Sequence, residues 1–129
     1  MKLNNKGQTL VAFIILLPVL IMVFTLIIDL GFLSIEKRKV DNEIKSTITY
    51  GLKNIETDNL DLKLRKLILK NIDNINNEDI KIRIENNYIK ISLKLEKKSL
   101  FKIIGKEKYD IYSSYIGIIE NNEIKLKKE

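Results

Sequence analysis

Cysteine and histidine are both missing from the chain. Their absence excludes disulfides, thiol catalysis, imidazole proton shuttles and the usual zinc sites. Arginine is scarce, occurring only as Arg38, Arg65 and Arg83, so lysine carries most of the formal net charge of +6. Heavy use of Lys, Asn and Ile is what an AT-rich genome produces, which makes the basic balance weak information about partners. Clustered Arg/Lys with interleaved aromatics on one face is also missing, and a nucleic-acid partner is not expected. There is no glycine-rich phosphate cradle and no Ser/Lys or Ser/His/Asp nucleophile arrangement. The acid pairs Asp58 with Asp61 and Glu78 with Asp79 lack the alternating oxygen spacing of a calcium loop and read as turn and cap residues. A non-enzymatic protein is expected, with no cofactor, no metal and no small-molecule substrate.

What the chain does have is one long apolar run. Leu10 to Ile28 contains no charged residue, and Gln8 and Thr9 extend the uncharged stretch back to Gly7. As a helix, Leu10 to Ile28 measures about 28 Å at 1.5 Å per residue, against a hydrocarbon core of about 30 Å. A cleaved secretory signal would have a shorter apolar region of about 7 to 15 residues, and "FTLIIDLGFLS" offers no small-x-small cleavage site. A retained transmembrane helix is therefore expected, with the solitary proline, Pro18, tolerated as a mild kink. Asp29 and Gly31 fall at its outer end, where a carboxylate is far less costly than at the bilayer centre and a glycine allows close helix approach. Counting Lys2 and Lys6 on one flank against Lys37, Arg38 and Lys39 on the other, the positive-inside rule does not favour a cytoplasmic tail. A short basic leader of residues 1–7 can nonetheless stay inside cheaply.

The remainder alternates Ile or Leu with polar residues, the pattern of a small water-facing domain. Val40, Ile44, Ile48, Leu52 and Ile55 fall on one helical face, so the anchor helix is expected to project to about Asn54 as a rod. "TDNLDLKLRKLILKNI" predicts a second, shorter helix with Thr57 or Asp58 as N-cap and Leu60, Leu64, Leu67, Ile68 and Ile72 on its apolar face. "DIKIRIENNYIKISLKLE" predicts a hairpin with a two-residue Asn86-Asn87 loop whose residues tolerate positive φ. That register pairs Ile84 with Ile89, Ile82 with Ile91 and Ile80 with Leu93, with Lys81, Arg83, Lys90 and Ser92 on the opposite face. A second hairpin around Asn121-Asn122 pairs Ile119 with Ile124 and Gly117 with Leu126. Between the hairpins, Leu100, Phe101, Ile103 and Ile104 are expected to plug the core. A contact with a partner subunit or the membrane surface is the alternative. Tyr109, Tyr112 and Tyr115 alternate faces and read as sheet packing.

"KGQTLVAFIILLPVLIMVFTLIIDLGFL" resembles the amino-terminal segment of TadE-like proteins, pseudopilin-like components of tight-adherence pilus systems. The resemblance covers about residues 6–50 and rests on a glycine after a basic tail, Val11 and Phe13 flanking the family's glutamate position, "LLP" at Leu16 to Pro18, and "IIDLG" at Ile27 to Gly31. It implies cleavage by a prepilin peptidase between Gly7 and Gln8, a cytoplasmic amino terminus, an extracytoplasmic carboxy-terminal domain, and other pilin-like subunits and an assembly platform as partners. Ala12 stands where the family normally carries glutamate, which points to a minor subunit in place of a major one. Phe13, Pro18, Ala12, Asp29 and Gly31 become the expected subunit-packing positions. The alternative is a membrane-anchored envelope accessory or binding module that never polymerises.

The expected architecture is thus α+β: a basic leader (1–7), a transmembrane helix (8–33), its extracytoplasmic continuation (34–56), and a small domain (57–129) with a second short helix and an antiparallel sheet of 3–4 strands.

Overall fold

The structure, a computed structural model, describes residues 5–101 and 107–129. Helix α1 runs unbroken from Asn5 to Lys53, 49 residues, and contains Pro18. Helix α2 spans Leu60–Asn71, and after a short 3-10 turn at Asn77–Asp79 come strands β1 (Ile80–Glu85), β2 (Tyr88–Lys98), β3 (Lys108–Glu120) and β4 (Glu123–Lys128). The strands form one antiparallel sheet in the order β1-β2-β3-β4. The fold is α+β, as expected, and the short charged β4 completes a sheet of four strands.

The two halves of α1 have different surroundings. From Leu10 to Leu30 the large apolar side chains stand exposed except for the half-buried Leu26, and this stretch is long and apolar enough to cross a membrane. That property agrees with a single-pass membrane protein. Beyond it, Val40, Ile44, Ile48 and Leu52 are buried, and Ile55 packs partly against them. The four-residue spacing puts these side chains on one stripe, and burying each Ile or Leu contributes roughly 1.5–3 kcal/mol. The helix ends where Asn54 folds back, its backbone N–H and side-chain amide both donating to the Tyr50 carbonyl at 3.2 and 2.8 Å.

The stripe of α1 lies on the inner face of the sheet, running in the same direction as β3. Asp41 meets Ser113, the Lys45 ammonium sits 5.0 Å from the centre of the Tyr115 ring, and Ile48 and Leu52 press on Gly117. Close approach requires glycine there: a Cβ on Gly117 would fall 2.2 Å from Ile48 Cγ2 and 2.9 Å from Leu52 Cδ1. Gly51 plays the same part on the helix, where a Cβ would meet Ile89 Cδ1 at 2.7 Å. A strand of 13 residues extends about 40 Å, and α1 from Asp29 to Leu52 about 35 Å. The sheet is therefore long enough to clothe the second half of the helix and no more.

Helix α2 returns antiparallel to α1. Its Leu60, Leu64 and Ile68, followed by Ile72, join the core, with Leu67 half-buried, as the apolar face predicts. The N-cap is a correction: neither Thr57 nor Asp58 caps α2, because Asn59 enters the helix from the left-handed region at φ 58° with no side-chain cap bond. Asparagine tolerates that conformation far better than a β-branched residue such as threonine. Arg65 then ties α2 to the sheet, donating to the carbonyls of Asn77 at 3.2 Å and Ile80 at 2.9 Å while pairing with Asp61 at 3.1 Å.

The β1–β2 register places Ile84 opposite Ile89, Ile82 opposite Ile91 and Ile80 opposite Leu93, as expected. The β3–β4 register likewise pairs Ile119 with Ile124 and Gly117 with Leu126. The two Asn-Asn turns differ. Asn121 and Asn122 adopt φ of 53° and 63°, the pattern of a type I′ hairpin turn, whereas Asn86 and Asn87 are not among the described residues with positive φ. The Asn87 carbonyl accepts from the Ile119 N–H of β3 at 3.0 Å. Ser92 lies on the outer face as expected, yet is buried, sharing a hydrogen bond of 2.7 Å with Ser114 on the adjacent strand. On the third strand, Tyr109 and Tyr115 share the inner-face parity and Tyr112 stands on the outer face, 59% exposed.

Candidate functional site

The residues singled out from the sequence fall into two groups. Gly7, Gln8, Ala12, Phe13 and Pro18 sit on the exposed first half of α1. Among the described residues nothing lies within 4 Å of the position a Gly7 Cβ would take, and the Gly7–Gln8 bond is already within the helix. Thr9 steadies this first turn by donating to the Asn5 carbonyl at 2.9 Å. Ala12 offers no polar group, and Phe13 is 54% exposed beside it. Pro18 has no N–H for the Ile14 carbonyl, yet α1 continues through it. None of these side chains touches the α+β domain in the core cluster.

The second group gathers where the exposed half of α1 meets the sheet. Asp29, directly after the apolar run, is only 4% exposed. Its carboxylate accepts from Ser99 Oγ at 2.5 Å, from the Leu100 N–H at 2.8 Å and, at the margin, from Tyr109 OH at 3.4 Å. Asp29, expected as a packing position between subunits, has its carboxylate engaged within the chain, at the connection between β2 and β3. That connection is closed at its base by the Ser99 N–H donating to the Glu107 carbonyl at 2.9 Å. Among the described residues, nothing lies within 4 Å of the position a Cβ on Gly31, two residues on, would take.

Two turns along α1 from Asp29, Glu36 receives Lys97 from β2 and Lys39 from its own helix, each at 3.2 Å. Burial by itself pushes the Glu36 carboxyl up, but the hydrogen bonds and charges of the two lysines outweigh it and hold the group below the usual carboxylate range. Asp29, Glu36 and Asp41 therefore form a polar seam down α1, meeting Ser99, Lys97 and Ser113 in turn. On the outer face, Lys90 and Glu129 form an ion pair that raises the lysine and lowers the carboxyl.

Sequence reasoning missed Ser99, the Leu100 N–H and Tyr109 as partners of Asp29. The one available signal was the carboxylate itself, a single acid at the edge of an apolar run. The expected core plug is a correction in part: Leu100 and Phe101 are 50% and 45% exposed, outside the core, while Ile103 and Ile104 lie outside the described residues. Asp58 and Asp61, and Glu78 and Asp79, do not assemble with a third ligand; among the described residues no group of three His, Cys, Asp or Glu could hold a metal ion. No family model, curated protein or solved structure matches the chain.

Proposed function

We propose that the chain is a minor, TadE-like pseudopilin, anchored by a single N-in span and serving as a structural component of a tight-adherence or type II secretion-like pilus machine. The observation that carries this reading is the continuity of α1: one helix of 49 residues is bare and apolar in its first half and clothed by a small α+β domain in its second. Such a helix can stand in a bilayer by one half and present a folded head by the other. In this reading a prepilin peptidase cuts the accessible Gly7–Gln8 bond, and the bare apolar surface around Phe13 and Pro18 later packs against neighbouring subunits. With Asp29 engaged inside the chain, the close helix contact falls to Gly31, whose surroundings are open among the described residues.

Ala12 sets the rank of the subunit. A carboxylate there would attract the free amine of a neighbour in a low-dielectric bilayer. Without it, few copies at the start or tip of a filament are expected, and Ala12→Glu increases incorporation. Amino-terminal sequencing of native material tests the central claim: a mature chain beginning at Gln8 supports it, and one beginning at Met1 in cells with active prepilin peptidase sinks it. The same missing carboxylate favours a second reading, an anchored envelope accessory that never polymerises. For that protein, Ala12→Glu leaves filaments unchanged.

A further inference from the structure

The apolar run ends at Ile28, and the next residue, Asp29, holds the turn out of β2 through Ser99 Oγ and the Leu100 N–H. This pins Leu100 at the level where the apolar half of α1 stops. A helical run of about 28 Å nearly fills a hydrocarbon core of about 30 Å, so this level is the lipid interface. Two large apolar side chains, Leu100 and Phe101, are exposed there and unclaimed by the core. The same segment follows the exposed Lys98, whose ammonium group suits a lipid phosphate, and precedes Lys108, which is exposed and paired with Glu96 at 3.4 Å. The backbone chemistry also fits. A peptide N–H approaching acyl chains needs a partner that lipid cannot supply, and Asp29 supplies it to Leu100.

We propose that Leu100 and Phe101 form a second membrane contact, seated in the interface of the bilayer that α1 spans, with Asp29 as the positioning residue that sets their depth. The proposal rests on the reading of the first half of α1 as a span. Its consequence is mechanical: a domain held by a helix alone can swivel about the helix axis, whereas one held at two points presents a fixed face outward. The outer sheet face, with Tyr112, is then directed consistently relative to the membrane.

The chain has no tryptophan, so single reporters can be placed in the full protein. Phe101→Trp, Phe24→Trp and Tyr112→Trp proteins are reconstituted into phosphatidylcholine/phosphatidylglycerol vesicles containing lipids brominated near the acyl carbonyl or near the chain middle. For Phe101→Trp the expected result is blue-shifted emission quenched most by the shallow bromines. For Phe24→Trp, which reports the span, quenching is expected too, and for Tyr112→Trp none. A Phe101→Trp signal no more quenched than Tyr112→Trp, with Phe24→Trp quenched, overturns the second contact while leaving the span intact. Blue-shifted but unquenched emission from Phe101→Trp indicates a protein neighbour instead of lipid and also overturns it. Absence of quenching in Phe24→Trp overturns the span reading itself. Asp29→Ala, and the milder Ser99→Ala, are each expected to reduce quenching in the Phe101→Trp background while the circular dichroism melt still reports a folded domain. Undiminished quenching in both overturns the positioning role of Asp29.

Discussion

The first and second halves of α1 are one helix in two environments. Residues such as Ile14, Ile21 and Ile28 are as apolar as Ile44 and Ile48, yet the former are more than half exposed and the latter fully buried. The difference lies in what surrounds each apolar residue in the sequence. In the first half apolar side chains occur all round the helix, a distribution that only lipid or other helices can satisfy. In the second half they recur on one stripe, with Glu36, Asp41, Asn42 and Lys45 between them, and the chain's own sheet satisfies that stripe. The boundary falls at Asp29, where the apolar run stops and the intramolecular hydrogen bonds to the sheet begin.

The sharpest way to break this comparison is to remove the same atoms from each half. Ile44→Ala is expected to destabilise the domain by about 2–5 kcal/mol, because the cavity is lined on all sides by core residues, whereas Ile21→Ala leaves domain stability unchanged. Urea unfolding in detergent, followed by circular dichroism, separates the two. Glycines give the converse test. Gly117→Ala, whose new methyl group runs into Ile48 and Leu52, is expected to cost about 1–3 kcal/mol. Gly31→Ala meets nothing among the described residues and is expected to shift stability by no more than about 0.5 kcal/mol.

A smaller effect of opposite sign is expected at Thr47, whose hydroxyl is buried without a hydrogen-bond partner. Thr47→Val keeps the β-branched shape and removes the unsatisfied group, for a gain of about 1 kcal/mol read as a raised unfolding midpoint. The smallest effect concerns acid. Because Glu36 is held below its ordinary value in the folded chain, the unfolded chain takes up the proton first as pH falls. The Glu36 contribution is therefore fully present above the ordinary carboxylate value of about 4.3 and is lost as pH falls through the folded one. Glu36→Gln should lower stability at neutral pH and converge with the parent protein in acid; parallel pH profiles for the two would remove Glu36 from the seam.

Much of the fold could be read from local pattern. Alternating Ile residues determined the β1–β2 register, since a slip of one residue would turn every Ile of those strands to the wrong face. The two-residue Asn loops located the turns, and a four-residue apolar rhythm located the second half of α1. The failures had both local and long-range origins. The α2 cap passed to Asn59 because the chain turns there through a left-handed residue, and Asn86-Asn87 gave up positive φ at a turn that also bonds to β3. Ser92 looked like a solvent-facing position by parity, and only its neighbour Ser114, 22 residues away, makes it a buried pair.

The candidate site divides along the same line. The exposure of Gly7, Gln8, Ala12, Phe13 and Pro18 was legible because it depends on neighbours in sequence and on an apolar run that any helix-forming stretch would expose. The partners of Asp29 were not, since Ser99 lies 70 residues away and no periodicity couples an acid on a helix to a serine at a strand end. By itself the sequence determined the long apolar helix, its amphipathic continuation and the pairing of the strands, because those follow from short-range spacing of side chains about a regular backbone. Only the tertiary structure decided how far along α1 the sheet is laid, and so that Asp29, Glu36 and Asp41 meet Ser99, Lys97 and Ser113. That alignment is set by the close approach of Ile48 and Leu52 to Gly117, which fixes the position of one element on another and leaves no mark in the pattern of either.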